Sequence, residues 1–110
     1  MAYDEGLAGR IREYLEGELG LREKQMFGGL GFLIDGNTCC AVLGDDLLAR
    51  VGPDAYAAAL GRPHAASFGM PGRKPMTGWV HVAAAGLEED AAVAEWVGRG
   101  VAFARSLPPK

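Results

Sequence analysis

Residues 26–51, MFGGLGFLIDGNTCCAVLGDDLLARV, decide the fold. The run Phe32-Leu33-Ile34 ends at Asp35-Gly36, and Asp-Gly is favoured where a two-residue hairpin turn needs positive φ. A second apolar run, Thr38 to Leu43, stops at Gly44-Asp45-Asp46, and Leu47 to Val51 leads back. The stretch predicts a meander of three antiparallel strands. Along the first of them Met26, Leu30, Phe32 and Ile34 share one parity while Phe27, Leu33 and Asp35 share the other, and either set can face a covering layer.

Outward from this meander the pattern turns helical. Leu7, Ile11, Tyr14, Leu15 and Leu19 draw one stripe along a helix predicted over Asp4 to Leu19, with acids at its start and Gly20 at its end. Arg22 to Met26 is the expected entry to the first strand. After Val51, Gly52-Pro53-Asp54 signals a helix start, Tyr56 to Leu60 favours a short helix, and Gly61-Arg62-Pro63 stops it. A brief strand within His64 to Met70, a loop at Pro71 to Pro75 and a returning strand over Thr77 to Ala83 make a second hairpin. The last helix is predicted from about Leu87 to Ser106, burying Val93, Trp96, Val97, Val101 and Ala104, with Gly98 and Gly100 allowing close packing on the sheet. Glu95 precedes Arg99 by four residues, the favourable order for a helical ion pair. The order α-β-β-β-α-β-β-α predicts a two-layer α+β domain, a mostly antiparallel sheet of about five strands with helices packed on it.

The 110 residues suit one domain, 1–110, in which about two-thirds of the unfolded surface can be buried. Hydrophobic residues at 49% exclude a disordered chain, and 17 glycines concentrated at turns and around residues 26–31 point to backbone geometry. The net charge of −3 disfavours general nucleic-acid binding, since the cations look dispersed apart from Arg73-Lys74 and the Arg10/Arg12 pair. There is no apolar signal core and no run near the ~20 residues of a membrane span. With only Cys39 and Cys40, no extracellular disulfide framework is encoded, and the expected compartment is the cytoplasm.

Candidate chemistry is sparse. Gly28-Gly29-Leu30-Gly31 invites a phosphate-loop reading, but Ile34 stands where a third fingerprint glycine belongs and a strand follows instead of a helix. Crowded or bulged strand glycines explain the cluster better. Adjacent strand residues point to opposite faces, so Cys39 and Cys40 are expected to split, one in the core and one exposed. A zinc site joining one of them to His64 and His81 would lack any standard ligand spacing. His81 reads as a half-buried structural residue and His64 as solvent-facing. Ser67 and Ser106 lie in no nucleophile motif, and Glu88-Glu89-Asp90 reads as helix-start acids. No catalytic constellation, cofactor or metal site is predicted.

Met26-Phe27-Gly28-Gly29-Leu30-Gly31-Phe32, with Asp35-Gly36 and Asp46 to Val51, resembles the amino-terminal domain of the TfoX/Sxy family, proteins associated with regulating bacterial competence genes. Phe68, Met70, Gly72-Arg73, Met76 to Val80 and the end Ala102 to Lys110 extend the resemblance to the family's small single-domain members. It implies a two-layer α+β domain without established catalytic residues. Longer members continue into a helical carboxy-terminal domain that these 110 residues do not include. Met26, Phe27, Gly28, Gly29 and Gly31 are carried over as a structural or interaction signature, with Arg73 and Lys74 as a weak basic contact. The expectation is a non-enzymatic cytoplasmic interaction domain, an accessory to competence-type transcriptional regulation through protein contacts. Nucleic acid would enter only indirectly and no membrane is involved; the free edges of a small sheet suit a homodimer. The alternative is a small-ligand or metal-binding domain, and direct DNA contact would require Arg73-Lys74 and other cations to converge in space.

Overall fold

The computed structural model describes residues 3–110. The Asp4 carboxylate accepts hydrogen bonds from the backbone N–H groups of Gly6 and Leu7, at 3.2 and 3.3 Å, pairing amides that the first helical turn leaves without partners. Helix α1, Glu5–Tyr14, buries Leu7, Ala8 and Ile11, and the capping Leu15 is buried with them. It is shorter than the stripe predicted. The Leu15 N–H still reaches the Ile11 carbonyl at 2.9 Å, but Gly17 at φ 87° takes the chain out of the helix before Gly20. Leu19 is consequently 81% exposed and leaves the core.

The α+β architecture expected from the sequence stands, with one strand more than the approximate five. Strands β1 (Leu21–Met26), β2 (Gly29–Ile34), β3 (Asn37–Leu43) and β4 (Asp46–Arg50) form a meander, followed by helix α2 (Tyr56–Leu60), β5 (Ala65–Ser67), β6 (Trp79–Val82) and helix α3 (Asp90–Ser106). The sheet runs β1-β2-β3-β4-β6-β5, antiparallel throughout. Residues 26–34 are therefore not one strand. Phe27 and Gly28 both have positive φ, 54° and 78°, which is the two-residue hairpin geometry that matches strand twist, and Met26 pairs with Gly29 across it. Asp35 and Gly36, at 52° and 85°, make the hairpin that their types predict. Because a turn intervenes, Met26 sits on the face opposite to that of Leu30, Phe32 and Ile34, not with them.

Helices cover one face. Leu30, Phe32, Ile34, Val42, Leu47, Ala49, Val80 and Val82 bury against α1 and α3, whose contributions include Ile11, Val93, Trp96 and Val97. Helix α3 crosses β3 so closely that a Cβ at Gly100 would collide with the Cys39 carbonyl oxygen. Gly98 instead faces the Tyr14 hydroxyl of α1, so only Gly100 has the sheet-packing role expected of both. Val101 is half-buried.

Cys39 and Cys40 depart from strand alternation. Phe32 lies opposite Cys40 while Leu33 lies opposite Thr38, leaving Cys39 as the extra residue of a bulge. Both side chains turn into the helix-covered core, fully buried, with their sulfurs 3.9 Å apart. The expected split between a buried and an exposed thiol is thereby overturned.

Candidate interaction face

Among the described residues the second face of the sheet has no helix over it. Gly29, Gly31, Ala41 and Leu48 belong to this side by alternation from the helix-facing residues, and three of the four are small. A Cβ at Gly29 would strike the Val42 carbonyl oxygen, and one at Gly31 would strike the Met26 side chain, which lies across it. Met26 Sδ is also 3.9 Å from Thr38 Oγ1. The glycines thus let the tip of the β1–β2 hairpin fold down onto the sheet.

Phe27 completes a small aromatic cluster there. Its ring meets Phe68 edge-on at 5.4 Å and Trp79 at 5.7 Å between centroids, arrangements favoured by the ring quadrupoles. Ala41, Leu48 and Phe68 are its buried floor, with Leu43, Met76 and Trp79 partly covered around them. The connection from Phe68 to Met76 is tied back by the Met76 N–H donating to the Phe68 carbonyl at 2.7 Å, and the Arg73 N–H donates to the Met70 carbonyl at 3.0 Å. Phe27, Met70, Pro71, Arg73, Lys74 and Met76 line a concavity of about 960 Å³.

Two residue sets named separately in the sequence thus meet: Phe27, from the Met-Phe-Gly-Gly segment, and Arg73-Lys74. Gly28, Gly29 and Gly31 shape the backbone beneath, and Met26 packs beside them. The lining contribution of Met70, Pro71 and Met76 escaped the sequence reading as a site, although Met70 and Met76 lie in the segment that carries the family resemblance. Their signal was there. Proximity to Phe27 depends on the β4–β6 pairing, which local pattern does not encode.

The charges around the concavity are one-sided. Arg10, Arg12, Arg62, Arg99 and Arg105 are engaged by Asp90, Glu23, Glu95 and Glu18. Among the described residues Arg73 and Lys74 form no ion pair. Register places Lys24 opposite Gly31 and Arg22 opposite Leu33, hence on the helix-free side as well. Arg50 stands over Trp79 at 5.3 Å and over Phe103 at 5.2 Å, close enough for cation–π attraction. On this side Asp46 is occupied: one oxygen meets His81 Nε2 at 2.8 Å and the other accepts from the Ala84 N–H at 2.8 Å.

Other candidate chemistry is dispersed. Half-buried His81 packs by Phe68, while the two cysteines lie under the helices, so the Cys/His zinc combination is not assembled. Among the described residues no three His, Cys, Asp or Glu side chains come together to hold a metal ion. The contact with the Cys39 sulfur, together with burial, pushes the Cys40 thiol well up, leaving it neutral. Among the described residues no helix is long and apolar enough to cross a membrane.

A search of the curated proteins and one of the solved structures each return no significant match. The family model described as TfoX N-terminal domain matches residues 13–104, from the last two residues of α1 to near the end of α3. That span holds the Met-Phe-Gly-Gly hairpin, the whole meander, α2 and all but the last two residues of α3, and the chain belongs to the TfoX N-terminal domain family.

Proposed function

We propose that this domain is a non-enzymatic cytoplasmic interaction module, an accessory to competence-type transcriptional regulation that acts by contacting another protein. Membership of the TfoX N-terminal domain family supports both the regulatory role and the non-enzymatic reading. The observation that carries the contact mode is the helix-free sheet face, where an apolar concavity lies beside cations without carboxylate partners among the described residues. A largely apolar concavity with a few convergent polar groups is a candidate binding site, and methionines at the rim adapt to a partner's shape.

The test is affinity capture of the tagged protein from host extract, with and without nuclease, using wild type and Met70→Glu. A specific protein retained by wild type despite nuclease, and lost with Met70→Glu, is the expected result. Loss of the retained set on nuclease treatment would move DNA-associated action ahead, and turnover of a small molecule by the isolated protein would overturn the non-enzymatic reading. The size of the concavity also falls in the range of small-ligand sites. A thermal shift with one member of a ligand panel, abolished in Met70→Glu, would favour that second reading.

A further inference from the structure

We infer that the concavity on the helix-free face receives an acidic segment of a protein partner, one apolar side chain entering between Phe27, Met70 and Met76 while carboxylates meet Arg73 and Lys74. This rests on the interaction-module reading and adds the chemistry of the partner. Charge complementarity carries it. In a chain of net charge −3, acids outnumber cations 14 to 11, yet among the described residues the lining of this concavity contains two cations and no acid. Five arginines have their carboxylate partners within the molecule. Arg73 and Lys74 are exposed with none among the described residues, and Arg22 and Lys24 lie on the same side of the sheet. An incoming carboxylate would therefore replace no internal ion pair. Such fields steer oppositely charged partners and reject similarly charged ones.

The apolar part argues for a peptide over a nucleic acid. Stacking of bases requires free aromatic faces, whereas here Phe68 is buried, Arg50 already covers Trp79, and Phe27 is half-buried against both rings. What remains open is the aliphatic and thioether surface of Met70, Pro71 and Met76, with Met70 itself 40% exposed. Flexible methionines suit a branched aliphatic or aromatic side chain.

Phage-displayed random peptides selected on the full chain, and counter-selected on a Met70→Glu/Arg73→Glu/Lys74→Glu variant, test this directly. All three positions are exposed, and matching unfolding curves check that the variant folds. Enriched peptides should place Asp or Glu around an aliphatic or aromatic residue. Their affinity, read by fluorescence anisotropy, should fall about tenfold or more in Arg73→Glu/Lys74→Glu and again in Met70→Glu, and should weaken with added salt. Enrichment of neutral or basic peptides, no enrichment over the variant, or tighter binding of labelled oligo(dT) at the same salt would overturn the proposal. Capture from extract separates the two readings. If wild type and Arg73→Glu/Lys74→Glu retain the same protein, the module reading survives and the acidic-segment site falls; if wild type retains none, the module reading itself falls.

Discussion

A methyl group added at Gly29 would collide with the Val42 carbonyl oxygen and crowd Leu43, whereas one added at Gly9, in α1, would meet nothing within 4 Å among the described residues. One chemical change should therefore act with opposite signs. Gly29→Ala is expected to lower stability by about 1–3 kcal/mol, since rigid backbone must move, and Gly9→Ala to raise it by about 0.5–1 kcal/mol through helix propensity; urea unfolding midpoints read both. At Glu95 the effect is electrostatic. Arg62 holds its carboxylate at 2.7 and 2.8 Å, Arg99 adds a contact at 3.3 Å, and both guanidinium groups stand over Trp96. The Arg62 hydrogen bonds, against opposing desolvation, bring the Glu95 pKa down to about 2. A carboxylate whose folded pKa is depressed stabilises the fold above its unfolded value and loses that contribution as pH falls through the folded one. The stability gap between wild type and Glu95→Gln should close between about pH 5 and about pH 2, and its size should stay below about 1 kcal/mol because the pair is partly exposed.

At the scale of elements, the two hairpins of the meander differ in legibility. Asp35-Gly36 carries residue types that accept positive φ and could be read directly. Phe27-Gly28 adopts the same geometry with an aromatic residue in the left-handed region, which residue preference argues against, so β1 looked like the lead-in to β2. Tertiary packing of the Phe27 ring against Phe68 and Trp79 accompanies that choice. Strand β3 hides its bulge for a related reason. Strict alternation assigns Cys39 and Cys40 to opposite faces, and only the pairing with β2 shows the extra residue. Both thiols are fully buried, so neither should react with a thiol reagent in the native protein and both should react in urea. Modification of one thiol without denaturant would contradict the bulge.

For the whole molecule, the α+β layering followed from hydrophobic periodicity, which reports on each element alone. The one-sided charge did not. It arises because residues distant in sequence, on β1 and in the β5–β6 connection, are brought to one side by strand pairing. The edge strand β1 has a further consequence. Among the described residues it pairs only with β2, and Arg22, Glu23, Lys24 and Gln25 along it are exposed. The backbone groups on its outer side form a template to which another strand can add, the route by which small sheet proteins grow into fibrils, and charge at such an edge is what deters it. Arg22→Val/Lys24→Val should therefore self-associate with rising concentration beyond any association of wild type, as light scattering and thioflavin fluorescence would record. On that expectation the basic residues of β1 guard the molecule against its own copies.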